Sequence, residues 1–153
     1  MKTKLFLIIV MALLSISLYA QKTQVPQIDD NTVIVKTEVD SITFNRLKVT
    51  LISNGYRIKE QDKSIGYIQT DYKSIEGSSV AIEPEIAISL LIRNYDISMY
   101  ADYRFKGSAA FGGGDYSGRA SYQQRKNIGK RLAFDELCRI ASLIGNEIKY
   151  VKQ

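Results

Sequence analysis

Residues 86–105 read I-A-I-S-L-L-I-R-N-Y-D-I-S-M-Y-A-D-Y-R-F, and this stretch decides the fold. Ile86, Ile88, Leu90 and Ile92 recur at every second position, as do Ile97, Met99, Ala101, Tyr103 and Phe105. A strand sends successive side chains to opposite faces, so the pattern describes two strands, each with one apolar and one mixed face. Asn94-Tyr95-Asp96 between them is short enough for a hairpin. An antiparallel pair with one apolar face needs that face covered, and the rest of the chain must supply the cover.

Working outward, residues 56–60 and 65–74 read as two further strands joined by a turn at 61–64. Ile68, Thr70 and Tyr72 are expected on one face of the second, and Tyr67, Gln69, Asp71 and Lys73 on the other. Residues 76–79 read as a loop. Residues 32–39, T-V-I-V-K-T-E-V, are β-branched and short, a first strand. Asp40 or Ser41 is placed to cap a helix through 53, with Phe44, Leu47 and Leu51 on its apolar face and Val49 and Ile52 widening that stripe. Asn54-Gly55 ends it, because glycine tolerates the left-handed conformation after a helix.

Downstream, residues 107–124 are small, polar and rich in glycine. Gly112, Gly113 and Gly114 in succession suit a functional loop, a flap or a hairpin extension. Residues 125–145 form the longest helix, with Ala133, Leu137, Ile140, Ala141 and Ile144 opposite Arg131, Asp135, Arg139, Ser142 and Asn146. Residues 147–152 read as a tail. The expected architecture is α+β: an antiparallel sheet of four to five strands, in the order β-α-β-β-β-β-α, with two helices on one face. Residues 32–153 make a single domain of that kind.

The chain starts with Lys2 and Lys4, an apolar run over residues 5–14, a softer stretch and Ala20, the layout of a secretory signal peptide over residues 1–20. Cleavage after Ala20, or after Ser17, leaves a polar leader at 21–31. Removing Lys2 and Lys4 lowers the formal charge from +5 to +3, with the remaining charges interleaved in sign, which argues against a nucleic-acid partner. No cysteine follows the apolar run, so no lipid-bearing N-terminus arises there. The protein is expected in the periplasm or secreted, with no stable membrane anchor after cleavage.

Cys138 is the only cysteine and histidine is absent. These two facts exclude intramolecular disulfides, Ser-His-Asp and Cys-His nucleophiles, and His- or thiolate-based zinc sites. No cofactor is implied. Paired-carboxylate glycoside chemistry stays open, since it needs only two acids at the right separation. Glu83 and Glu85 flank Pro84, and Asp29 and Asp30 adjoin; neither pair has calcium-loop spacing, and both are read as serving solubility. Cys138 reads as a half-buried small hydrophobe near Phe134.

Two surfaces are candidates for recognition. The glycine-rich loop could form a nest of backbone N–H groups for an anion beside Arg119, Arg125, Lys130 or Arg131, although the phosphate-loop motif is absent. The sheet face opposite the helices would carry Tyr67, Gln69, Asp71, Lys73, Leu91, Arg93, Tyr100, Asp102 and Arg104. Tyrosine and arginine are favoured interface anchors. Binding is therefore assigned to Tyr67, Tyr100 and Arg104, with Gly112, Gly113 and Gly114 as an adaptable rim.

Residues 42–72 carry a further pattern: a helix ending in Asn54-Gly55-Tyr56, an extended Arg57-Ile58, then Asp62, Gly66 and Tyr67-Ile68-Gln69-Thr70. Leu137, Ile140-Ala141, Leu143-Ile144-Gly145 and Ile148 complete it. The unit resembles the helix-grip domains of the BamC lipoproteins, accessory parts of the outer-membrane β-barrel assembly machine. The resemblance implies an α+β fold and an accessory or binding role without catalysis. The chain departs from that family in having one copy of the domain, no lipid-bearing cysteine and a glycine-rich loop before the last helix. The expected function is an exported cell-envelope binding or accessory module whose partner is an envelope protein or glycan. The alternatives are a carboxylate-based glycan hydrolase and a purely structural envelope subunit. N-terminal sequencing of protein from the envelope fraction is expected to begin at Gln21; an intact Met1 with full membrane retention would contradict the signal-peptide reading.

Overall fold

The computed structural model describes residues 24–37, 40, 43–75, 84–105, 116–123 and 128–153. The signal peptide, the loop at 76–79 and Gly112, Gly113 and Gly114 lie outside these residues. The elements run β1 (Thr32–Lys36), α1 (Thr43–Ser53), β2 (Ile58–Asp62), β3 (Tyr67–Thr70), β4 (Lys73–Ser74), β5 (Glu85–Arg93), β6 (Asp96–Phe105), β7 (Tyr116–Arg119), α2 (Ile128–Ile144) and β8 (Glu147–Val151).

The hairpin expected at 86–105 is the centre of the sheet. β5 and β6 pair without a break from Arg93↔Asp96 to Glu85↔Arg104. Asn94 turns the chain with φ of 44°, a conformation that asparagine tolerates better than most residues. The remaining strands build on the two outer edges of this hairpin. β5 receives β3 along one part of its length and β4 along another. β6 receives β1 at its start and β7 at its end. β2 and β8 close the sheet at either side, giving the order β2-β3-β5-β6-β1-β8. Every pairing among the described strands is antiparallel.

The apolar face works as expected. Ile86, Ile88, Leu90, Ile97, Met99, Ala101 and Tyr103 are all fully buried, joined by Val33, Val35 and Ile68. α2 lays Ala133, Phe134, Leu137, Ile140 and Ala141 on them, and α1 adds Phe44, Leu47 and Leu51. Burying side chains of this size is worth roughly 1.5–3 kcal/mol each. α2 lies so close to the sheet that a Cβ at Gly129 would stand 2.3 Å from the Phe105 ring, and one at Gly145 would stand 2.7 Å from Val35.

Local chemistry sets the ends of α1. The Thr43 hydroxyl donates to the Asp40 carboxylate at 2.6 Å and accepts from the Asp40 N–H at 2.9 Å, a reciprocal cap. At the other end the Gly55 N–H reaches the Ile52 carbonyl and the Tyr56 N–H reaches the Leu51 carbonyl, with Gly55 at φ 82°. This double bond pattern closes the helix and drops Tyr56 into the core beside Leu51. The Tyr56 hydroxyl then donates to Glu136 on α2 at 2.8 Å, and Arg139 grips the same carboxylate while donating to the Asn54 side chain at 2.9 Å. The two helices are joined by this polar clasp.

Four expectations need correction. The sheet among the described residues has eight strands, not four or five. Residues 147–152 are not a tail: β8 alternates Ile148 and Tyr150 inward and pairs along the whole of β1. Within the glycine-rich stretch, Tyr116–Arg119 forms β7 against the end of β6, which agrees with the hairpin-extension reading of that stretch. Val49 and Ile52 do not widen the core stripe of α1; they are 64% and 56% exposed, because the helix buries only the narrow face through Phe44, Leu47 and Leu51.

The fourth correction concerns phase. The strand expected over 65–74 breaks after Thr70, and its register on β5 shifts by one residue between Gln69↔Ser89 and Lys73↔Ile86. The break resets the alternation. Tyr72 emerges on the open face under the Arg104 guanidinium, and Lys73 turns to the helix side, over the Tyr56 ring and onto the Asn54 carbonyl.

Gly66 sits at φ 69°, and a Cβ there would lie 2.8 Å from the Ile92 carbonyl oxygen. Gly66→Ala is expected to cost about 1–3 kcal/mol through strain at this close approach, Leu137→Ala about 2–5 kcal/mol, and the exposed Val49→Ala within about 0.5 kcal/mol. Urea melts check the ranking; a Val49→Ala loss equal to that of Leu137→Ala would contradict the packing described. For Glu136, burial alone would raise the carboxyl pKa, but hydrogen bonds from Arg139 and Tyr56 outweigh it and hold the group below its ordinary 4.5. Stability from such a depressed pKa is complete above the unfolded value and is lost as pH falls through the folded one. At neutral pH the parent should exceed Glu136→Gln by roughly 1–3 kcal/mol. The gap should close progressively as pH drops below about 4.5. Melts of both proteins across pH check this, and a pH-independent gap would contradict it.

Candidate functional site

The sheet face opposite the helices is not covered by either helix. Its residues alternate with the core positions of β3, β5 and β6, so the strand period that buries Ile88 and Met99 also presents Tyr67, Gln69, Tyr100, Asp102 and Arg104. Small residues form its floor: Ala87 and Ser89 are buried between the longer side chains around them.

The register brings Tyr67 and Tyr100 together. Gln69 stands opposite Ser89, and Ser89 opposite Tyr100, which leaves Tyr67 diagonal to Ser89 within reach of both. Burial pushes the Tyr67 phenol up; the Ser89 hydroxyl opposes this and the Tyr100 phenol adds to it. Arg119, opposite Asp102 on β7, donates from Nε to its carboxylate at 2.9 Å and lays its guanidinium 4.1 Å above the centre of the Tyr100 ring.

Arg104 belongs to a second group. It stands four rungs further along β6 from Tyr100, roughly 13 Å at 3.3 Å per residue. It pairs with Glu85 directly across the ladder and stacks 4.0 Å above the Tyr72 ring. The face thus holds two cation–aromatic groups, Tyr67/Tyr100/Arg119/Asp102 and Tyr72/Arg104/Glu85. Beside the second, Arg57, Lys59 and Asp71 border an open groove with Tyr72 and Arg104.

Of the expected site residues, Tyr67 and Tyr100 meet, Arg104 lies apart, and Gly112, Gly113 and Gly114 fall outside the described residues. Lys73 and Tyr72 have exchanged faces. Arg119 and Tyr72 are the residues that sequence reasoning left out of this face. Arg119 was hidden in a glycine-rich stretch with no readable phase, and Tyr72 sits past a strand break that periodicity does not report. The anion nest expected near Arg119 and Arg131 is not assembled from those two: Arg119 turns to Asp102, and Arg131 is held by Asp135 and stacks on Tyr122.

Several other reactive groups among the described residues are occupied or quiet. Cys138 is half-buried, and burial pushes its thiol up to about 12, far from a nucleophilic thiolate. Glu85, Asp102, Asp135 and Glu136 are each paired with an arginine. The carboxyls of Asp29, Asp62 and Glu136 are all shifted downward, the direction opposite to that of a general acid. Among the described residues no three acidic, cysteine or histidine side chains gather to hold a metal ion, and no helix is long and apolar enough to cross a membrane. No protein-family model matches the chain, and no curated protein matches it.

The Tyr100–Arg119 stack is expected to show a coupling of about 0.5–1 kcal/mol. A double-mutant cycle with Tyr100→Ala and Arg119→Ala, read by urea melts, measures it; strictly additive losses would mean that the ring and the guanidinium do not hold each other in place.

Proposed function

We propose that this protein is an exported binding or accessory module of the cell envelope, and that it recognises an envelope protein or glycan through the open sheet face without turning it over. The observation that carries the reading is the pair of neighbouring, half-buried tyrosines, Tyr67 and Tyr100, standing on the face that neither helix covers, beside an arginine already stacked and ion-paired. Such a group offers flat aromatic area with few rotamers left to freeze, which keeps the entropic cost of association low. The resemblance of residues 42–72 to the BamC-like helix-grip unit supports an accessory role. The arginine-paired carboxylates support binding rather than acid–base hydrolysis.

The test is capture of partners from envelope extract on immobilised parent protein, followed by affinity measurement with a Tyr67→Ala/Tyr100→Ala double variant. The variant is expected to fold with the same far-UV spectrum and to bind the captured partner about tenfold or more weakly, as anchor residues do. Parent-like affinity in a folded variant would remove the Tyr67/Tyr100 face as the site.

A further inference from the structure

On the helix side of the sheet, where the edge of β6 passes from β1 to β7, the strands leave a notch of about 290 Å³. Its floor is Tyr103. This side chain is fully buried, yet its hydroxyl has no hydrogen-bond partner among the described residues. A buried polar group without a partner is rare and calls for an explanation, since phenylalanine would pack the same ring without stranding a donor. The residue directly across the ladder is Gly118, and the space beside the phenol exists because Gly118 has no side chain: a Cβ there would stand 3.4 Å from the hydroxyl oxygen. Burial, with the neighbouring Tyr116 phenol, holds Tyr103 up at about 12, so at neutral pH it keeps its proton and can donate it in a hydrogen bond.

The charges around the notch select the ligand. Lys152 is bound to Asp29 at 3.1 Å. Lys130, on the first turn of α2, lines the same space and forms no ion pair among the described residues. Among the described residues the notch therefore presents one cation outside any ion pair and one O–H donor with no acceptor in bonding geometry, with the half-exposed Tyr116 and its phenol beside them. The cation and the donor suit a single oxyanion, and the Tyr116 ring suits the flat face of a sugar. The volume lies at the bottom of the range for small-molecule sites, enough for one monosaccharide-sized group.

We infer that this notch binds the oxyanion of a small acidic ligand, a phosphate- or carboxylate-bearing monosaccharide, through the Tyr103 hydroxyl and the Lys130 ammonium. Tyr103 and Lys130 lie on the other side of the sheet from Tyr67 and Tyr100; the notch shares with that face Arg119, which Asp102 and the Tyr100 ring already hold, so variants at Tyr103 and Lys130 test the site separately from the function proposed above.

The probes are glucose 6-phosphate, glucuronate and, as neutral control, glucose, titrated into 15N-labelled protein purified as the cell processes it and followed by amide shifts. Saturable shifts at the Gly118 and Lys130 amides are expected with one or both acidic sugars and not with glucose. The acid that binds identifies the source of the oxyanion. Tyr103→Phe is expected to melt no lower than the parent and to bind about tenfold more weakly, the loss of one hydrogen bond to a charged group. Lys130→Gln should weaken binding similarly, and Gly118→Ala should obstruct it by filling the space beside the phenol. Absence of saturable shifts with both acids, equal binding of glucose, or parent-like affinity in Tyr103→Phe and Lys130→Gln would each overturn the assignment.

Discussion

The rest of the structure depends on the unbroken ladder between β5 and β6. Each strand of this hairpin buries one complete face, and each offers its outer edge to two shorter strands, β3 and β4 on one side and β1 and β7 on the other. The short strands could not stand alone: β4 is two residues long and β7 four. They persist because a long, register-locked template satisfies their backbone groups and their few inward side chains join a core that already exists. A one-residue slip in the hairpin would send Ile88, Leu90, Ile97 and Met99 to the solvent face together, which is why the register is so strongly specified.

That one constraint also positions the surfaces available for recognition. The helices take the apolar face, so the complementary face remains for Tyr67, Tyr100 and Arg104. On it the charges are organised in pairs rather than scattered: Arg119 between Asp102 and Tyr100, Arg104 between Glu85 and Tyr72. Such pairing limits the freedom of the long side chains that stand around the buried Ala87 and Ser89. The helix side is sealed differently. There Tyr56, Glu136 and Arg139 clasp α1 to α2, and each hydrogen-bonding oxygen of the buried carboxylate has a donor. The Tyr103 hydroxyl is the contrast, a buried donor beside a glycine with no acceptor in bonding geometry among the described residues.

The pattern around residues 54–70 acquires physical meaning from the structure. Gly55 is required by the left-handed turn after α1, Tyr56 fills the core below it, and Asp62 accepts from the Ser64 N–H in the turn between β2 and β3. Gly66 allows the backbone to approach Ile92. These residues organise a helix-to-hairpin corner, and none of them forms the aromatic group on the open face except through the strand that Gly66 begins.

Periodicity alone determined the central hairpin, the two amphipathic helices, the helix-capping corner at Gly55 and the α+β class, because those features repeat within one element and leave their mark on consecutive residues. It also placed Tyr67 and Tyr100 on a common face, since both lie in strands with clean alternation. Only the tertiary structure decided the rest. β7 and β8 are short and carry weak local signals; their identity comes from pairing with β6 and β1, partners far away along the chain. The exchange of Tyr72 and Lys73 across the sheet follows from a one-residue shift of register along β5 after Gln69, where the Ile88 N–H bonds to the Thr70 hydroxyl. The notch beside Tyr103 arises because Gly118 falls opposite that tyrosine in the ladder. Local sequence records what a side chain prefers, whereas register and strand breaks are settled by which distant backbone it meets.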